Sequence, residues 1–329
     1  MAMPQIFKSI WVVIFVLGLT ACGDPLDAKI ENQIQFVDMQ LKKLSQSIDN
    51  QQIRNANLIK EYAQHLSQAK PDLQRIVDEL AKDATTSGPL YQSLLNRYQS
   101  AAKYPDLFTS KEERLAELQN LYQAADTTLF NDALSDPLNV LADMSDGALP
   151  RVNAVSRAAS IEANQATDFG DGSQLIGNPA YGQWSTGSNG MSFWEWYGMY
   201  ALISNLTDRR VHYHDWAGRR DYSYYHDYGR YRYSSPKQLR TQYTVESRAK
   251  KSFKGGQFKS AYAKPKVGAS RISTASRTAQ NASKKFSSAY AKPKSTFNSN
   301  YSQNKKSSFG QSSFRSSSSG FSRGGFGGK

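Results

Sequence analysis

Between residues 30 and 48 the apolar side chains Ile30, Ile34, Val37, Leu41, Leu44 and Ile48 recur at spacings of four and three. That rhythm belongs to an α-helical seam and to no strand, since strand faces repeat every second residue. Carried onward, the same register meets Gln51, Asn55, Leu58, Tyr62 and His65, so the seam turns polar before Pro71. An unbroken helix over residues 27–69 would be about 65 Å long at 1.5 Å per residue. Two readings follow: a coiled-coil homo-oligomer through Ile30 to Ile48 with Asn55 fixing register, or an intramolecular bundle with the helices that follow.

Those helices are marked by their punctuation. Pro71 opens a segment with apolar residues Leu73, Ile76, Val77 and Leu80, closed near Gly88-Pro89. Leu90, Leu94, Leu95 and Tyr98 mark the next. Ser110-Lys111-Glu112-Glu113 has the form of a capping box ahead of Leu115, Leu118, Leu121 and Tyr122. A last segment carries Leu138, Leu141, Val152 and Val155, with a break at Gly147 and Pro150. His65 is the one histidine of this stretch, and no catalytic constellation is legible in it. Residues 24–165 are therefore expected to fold without the remainder.

Charge divides the chain. The protein has 329 residues and a formal net charge of +13, yet residues 236–329 hold 14 Lys and 6 Arg against the single Glu246. The first 235 residues are left at −6. A near-neutral body joined to a strongly basic arm points to a polyanion partner. Two units in the arm are nearly identical: Phe-Lys-Ser-Ala-Tyr-Ala-Lys-Pro-Lys at 258–266 and Phe-Ser-Ser-Ala-Tyr-Ala-Lys-Pro-Lys at 286–294. Lys264, Lys266, Lys292, Lys294, Arg315 and Arg323 are the candidate polyanion contacts, and Tyr262 and Tyr290 the candidate stacking groups. Ser, Lys and Gly dominate the spacers, which predicts a disordered tail.

Between body and arm, residues 166–235 read as a Gly- and Asn-rich linker followed by an aromatic segment. Ser192-Phe193-Trp194-Glu195 reads as a second capping box, predicting a short helix with Phe193, Trp196, Tyr197, Tyr200 and Ile203 on one side. Tyr-His-Asp-aromatic occurs twice, at 213–216 and 225–228. On an extended strand His212 and His214 would share a face, and with His226 they form a metal-site alternative to a purely adhesive aromatic surface.

The first residues add a location. Lys8, an apolar run from Ile10 to Leu19 and Leu19-Thr20-Ala21-Cys22 resemble the signal peptide and lipobox of a bacterial lipoprotein. The resemblance implies removal of residues 1–21, acylation of Cys22 with palmitate-type chains, and a membrane anchor. Gly23, rather than Asp, after the cysteine implies the outer membrane. Cys22 is the only cysteine, so its acylation leaves no thiol for disulfides or thiolate sites. Arg323-Gly324-Gly325-Phe326-Gly327 is also similar to the ends of some uncharacterised Gram-negative lipoproteins.

The expectation is a mainly α protein: leader 1–21, a helical bundle or coiled coil over 22–165, an aromatic segment over 166–235 and a basic low-complexity tail over 236–329. The function expected is non-enzymatic binding or scaffolding of an anionic polymer of the cell envelope or periplasm (lipopolysaccharide, peptidoglycan or DNA), without a cofactor. The alternatives are a metal-dependent envelope enzyme using His212, His214 and His226, and an accessory subunit docking through residues 30–48 or 193–203.

Overall fold

The computed structural model describes residues 24–207, 210–253 and 258–281, all within one compact unit. Cys22 with the leader, and Tyr290, Lys292, Lys294, Arg315 and Arg323, lie outside the described residues. The fold is mainly α, with one two-stranded sheet. Helix α1 (Pro25–Asp49) packs on α5 (Lys111–Ala124) and α4 (Pro89–Lys103). Helix α2 (Arg54–Ala69) packs on α3 (Gln74–Ala81) and α7 (Ser135–Met144). Proline stands at the first turn of α1 and α4, where its missing N–H costs nothing. Among the described residues no helix is long and apolar enough to cross a membrane.

The stripe of α1 is spent inside the molecule. Ile30, Val37, Leu41, Leu44 and Ile48 are all at 3% exposure or less within the main core. That closes the face needed for a homo-oligomer seam. The long helix is also broken: α1 ends at Asp49, Gln51 takes a left-handed conformation (φ 58°), and α2 starts at Arg54. Asn55 is fully buried, but its partner is Asn131 of α6 (Thr127–Ala133). Its backbone N–H donates to Asn131 Oδ1 at 2.8 Å and its Nδ2 to Asn131 O at 2.7 Å. The polar residues that weaken the seam thus make a chain reversal and a local cross-link, and they set no coiled-coil register.

The other capping box is half as expected. Ser110 Oγ accepts from Glu113 N at 3.2 Å, whereas the Glu113 carboxylate reaches back to Thr109, accepting from its N–H at 2.7 Å and its hydroxyl at 2.8 Å. The last body segment is α7 and, after an irregular stretch, α8 (Arg157–Asn164).

Around Trp194 the structure corrects the expected helix. Residues 182–196 form a hairpin of β1 (Gly182–Thr186) and β2 (Ser192–Trp196), antiparallel, with Trp184 facing Trp194. The two rings meet edge to face at 5.2 Å. Alternation is the reason: Trp184 and Trp194 are buried on one face, while Gln183 and Glu195 are exposed on the other. Asn189-Gly190, with Gly190 at φ 76°, supplies the turn. Tyr200 and Ile203, the latter in α9 (Leu202–Thr207), are buried in the main core while Tyr197 is exposed, so the expected single helical face over residues 193–203 does not form.

The main core does not stop at residue 165. Leu175, Tyr181, Tyr200, Ile203, Tyr224, Tyr225, Tyr233 and Ile272 belong to it together with the bundle residues. Buried body carboxylates hold these later segments. Asp83 accepts from the hydroxyls of Tyr181 (3.0 Å) and Tyr200 (3.4 Å). Asp136 accepts from the N–H groups of Tyr224 and Tyr225, both at 2.8 Å, and from the Ser223 hydroxyl at 2.9 Å. Asp132 accepts from Ser273 N and from the Ser273 and Ser276 hydroxyls. The buried Arg97, bidentate to Glu117, also donates to Arg232 O at 2.7 Å.

The expectation that residues 24–165 suffice therefore meets a shared core. A fragment of residues 24–165 should lack a cooperative melt by circular dichroism, while one of residues 24–281 melts cooperatively. Burial also pushes Asp83 up to about 7 from an ordinary 3.8. A raised carboxyl stabilises the fold fully below its unfolded pKa, and that contribution is lost as pH rises from about 4 to 7. Measured by denaturant unfolding against an Asp83→Asn chain, the wild type should lose about 1.4 kcal/mol per pH unit across that window.

Candidate functional site

Residues from the aromatic segment and the arm assemble into one site over a second, smaller core. That core contains Ile176, Trp184, Trp194, Val211, Tyr213, Trp216, Val245, Ala249 and Ala261. Two helices frame it. Helix α10 (Tyr213–Arg219) buries Tyr213 and Trp216, and α11 (Pro236–Ser252) buries Gln242, Val245 and Ala249, three to four residues apart as one helix face requires.

Helix α11 corrects the expected disorder of the arm from residue 236. Ser235-Pro236-Lys237-Gln238 is a complete capping box: Gln238 N donates to Ser235 Oγ at 3.2 Å and Ser235 N to Gln238 Oε1 at 2.8 Å, with Pro236 at the first helical position. The signal was present in the sequence and was masked by the lysine- and serine-rich composition around it.

Between α10 and α11 the chain makes a π-helical turn, Tyr225–Gly229. It carries two buried groups. Asp227 accepts Arg220 Nη2 at 2.6 Å and Nη1 at 3.2 Å, with both side chains at 2% exposure or less. His226 holds Ile176 O at 2.6 Å through Nε2, which assigns the proton to that nitrogen. Burial and the Arg220 charge keep this imidazole well below its ordinary pKa, hence neutral.

The first repeat lies in the groove so formed. Arg220 Nε donates to Ala261 O at 2.9 Å, and Ala261 is buried in the second core. Asp227 Oδ1 accepts Lys266 N at 3.1 Å. Between these two clamps Tyr262 is stacked, with the Arg230 guanidinium 3.3 Å from its ring centroid and the His226 ring at 5.4 Å. Arg230 is aimed by α11, donating from Nε to Gln242 at 2.9 Å and pairing with Glu246 at 3.5 Å. A stacked, partly desolvated cation over a tyrosine is worth about 0.5–2 kcal/mol. Ala263, Lys264 and Pro265 continue past a pocket of about 160 Å³ that Asp227, Tyr231 and Gln280 also line.

Beyond the groove the chain continues as a strap. Val267 pairs with the Asn164 side chain through both N–H and carbonyl, and Ala269 bridges Ala154. Gly268, at φ 149°, passes so close to Tyr222 that a Cβ would stand 2.6 Å from that residue's own Cβ.

The expected site residues are thus redistributed. Tyr262 is not a free stacking platform, because Arg230 and His226 already occupy it. Lys264 is exposed at the pocket rim, and Lys266 is half-buried, its ammonium disfavoured by burial and by Arg220. The histidines do not converge as expected for a metal site. His212 precedes α10 and His214 lies within it, their rings 5.8 Å apart, and His214 faces Asp215 at 3.2 Å. His226 is enclosed by Trp216, Tyr225 and Tyr262 instead. Among the described residues no group of three or more His, Cys, Asp or Glu is placed to hold a metal ion. A helix start between His212 and His214 destroys the two-residue alternation on which the expectation rested.

What sequence reasoning missed is a cationic stripe. On α11 Lys237, Arg240, Thr244, Arg248 and Lys251 recur every three or four residues and are all exposed, opposite the buried face. Arg240 pairs with Glu113 and Arg248 donates to Thr186 Oγ1 at 3.0 Å. Lys237, Lys250, Lys251 and Lys264 enter none of the ion pairs found among the described residues. In comparisons with protein-family models, curated proteins and solved structures, nothing matches this chain.

Among the described residues Asp227 is the carboxylate that ion-pairs with Arg220, so Asp227→Ala should leave a buried guanidinium without its bidentate partner. The expected cost is about 3–5 kcal/mol, read as a fall in the denaturant midpoint.

Proposed function

We propose that the protein is a lipid-anchored, non-enzymatic component of the cell envelope, held at the outer membrane through Cys22, that binds an anionic polymer with its cationic C-terminal third. One observation carries the reading: residues 236–329 bring twenty cations against Glu246 alone, and where they are described the lysines of α11 face solvent. Such a display gains affinity from release of counterions on the polymer, which needs no shaped pocket and no sequence-specific partner. Lipopolysaccharide phosphates, peptidoglycan carboxylates and extracellular DNA all offer that chemistry. The anchor rests on the resemblance of Leu19-Thr20-Ala21-Cys22 to a lipobox.

Within this reading the residues divide the work. Lys237, Lys250, Lys251 and Lys264 are ready contacts, and Lys292, Lys294, Arg315 and Arg323 add charge along the same arm. Stacking falls to Tyr290, since Tyr262 is committed to Arg230.

The two halves of the proposal separate in one experiment on the full chain. Cys22→Ser should move the protein from the membrane fraction to the soluble one while leaving polymer binding intact. For single-stranded DNA, log affinity against log salt should have a slope near −4 if about six cations engage phosphates, at ~0.7 per contact. Replacing Lys237, Lys250, Lys251 and Lys264 by Gln should flatten that slope. Absence of binding to DNA, lipopolysaccharide and peptidoglycan at low salt would overturn the polymer half, and retention of the Cys22→Ser chain in membranes the anchor half.

A further inference from the structure

The groove that seats residues 258–266 meets a second candidate ligand in the same chain. Residues 286–294 match the first repeat at eight of nine positions. The one difference, Lys259 against Ser287, falls at an exposed position of the seated repeat. Every position that the groove grips is shared. Phe258 packs on the second core and against Phe253 at 5.7 Å, and Phe286 is its counterpart. Ser260 folds the turn, its hydroxyl and carbonyl accepting from Tyr262 N and Ala263 N, and Ser288 is the residue at that position of the second copy. Ala261, clamped by Arg220, and Tyr262, stacked on Arg230, correspond to Ala289 and Tyr290. Asp227 reads Lys266 through its backbone N–H, which Lys294 also carries.

The two copies part company just past the repeat. Gly268, which passes Tyr222 where no Cβ fits, corresponds to Thr296. The second copy can therefore fill the groove as far as Lys294 but cannot continue into the strap. It is also tethered within reach. Gln280, hydrogen-bonded to Asp227 O, lines the same pocket as Lys264 and Pro265, and residue 286 follows only six positions later. Six residues span at most about 20 Å, so the chain length lets the second copy reach the groove, and tethering raises its effective concentration there.

We propose that this groove is a peptide-recognition site for Phe-x-Ser-Ala-Tyr-Ala-Lys-Pro-Lys, and that residues 286–294 are its reserve ligand, entering when the first repeat leaves. The strap and Gly268 make the first repeat the preferred occupant. Whichever copy is outside presents its tyrosine and two lysines to solvent. The inference is independent of the polyanion reading, because it concerns what the groove holds and not what the arm binds.

A double-variant cycle on the full-length chain tests it, with Cys22→Ser used throughout to keep the protein soluble. Tyr262→Leu removes the stacked ring yet leaves an apolar side chain. Tyr290→Ala should leave the melting midpoint unchanged when Tyr262 is present and lower it by about 2–4 °C in the Tyr262→Leu background. Equal effects of Tyr290→Ala in the two backgrounds would overturn the proposal. A second arm uses a synthetic peptide of residues 286–294 added to the Tyr262→Leu/Tyr290→Ala chain. Saturable binding, with a rise in the midpoint and loss of both when the peptide carries Tyr290→Ala, is the expected result. A peptide that binds equally well with and without its tyrosine, or not at all to the folded chain, would refute recognition by this groove. Should Tyr262→Leu prevent folding, Gly268→Val replaces it in both arms, because it strikes the lock beside Tyr222 and leaves the repeat intact.

Discussion

Carboxylates buried in the bundle hold the second half of the chain. Asp83, Asp132 and Asp136 stand in α-helical or 3₁₀ turns of the first 144 residues, and apart from Leu90 N on Asp83 and Asn153 Nδ2 on Asp132 the donors to their carboxylates come from residues 181–276. A carboxylate taken out of water without such donors would be costly, and so would the freed N–H and O–H groups, at about 1–3 kcal/mol for each one left unsatisfied. Body and later segments are therefore mutually required. The bundle provides acceptors that it pairs only in part, such as Asp83 with Leu90 N, and the later segments provide further donors and the rings that cover them. Burial raises both Asp83 and Asp136 to about 7, the mark of the desolvation these contacts offset.

That dependence explains where the cationic arm stops being an arm. Where it is described, residues 236–253 and 258–281, the basic segment is structural: α11 buries Val245 and Ala249, the first repeat fills the groove, and Ser273 and Ser276 reach Asp132. The lysines of α11 are displayed outward from a fixed frame. The groove inverts the obvious role of the repeat. Its tyrosine is consumed in stacking on Arg230, so the repeat is held by the protein as a ligand is held, by backbone clamps at both ends and one ring between them.

Much of the helical part was legible. The spacing of Ile30 to Ile48, the Ser110 box and the prolines at 71 and 89 all mark elements that exist, because amphipathic periodicity and capping are local properties. The hairpin was not read, although Asn189-Gly190 and the alternation of Trp184 and Trp194 were there, since Ser-x-x-Glu at 192–195 imitates a helix start. Local capping chemistry and strand alternation compete over so short a segment. Pairing with β1 and burial against Trp216 decide the contest.

The sequence by itself determined the helical seam of α1, the division between an acidic body and a basic arm, the duplication of the nine-residue repeat and the lipobox-like leader. Each of these depends on neighbours along the chain. Tertiary structure decided that the seam packs inward, that Asn55 meets Asn131, that His226 is separated from His212 and His214, and that Tyr262 is already stacked. Those outcomes hinge on partners distant along the chain, 76 residues for Asn55 and Asn131 and 32 for Arg230 and Tyr262, or on a chain reversal such as that at Gln51. Composition carries no record of such contacts, because burial and hydrogen bonding reward the meeting of two distant segments and neither segment alone.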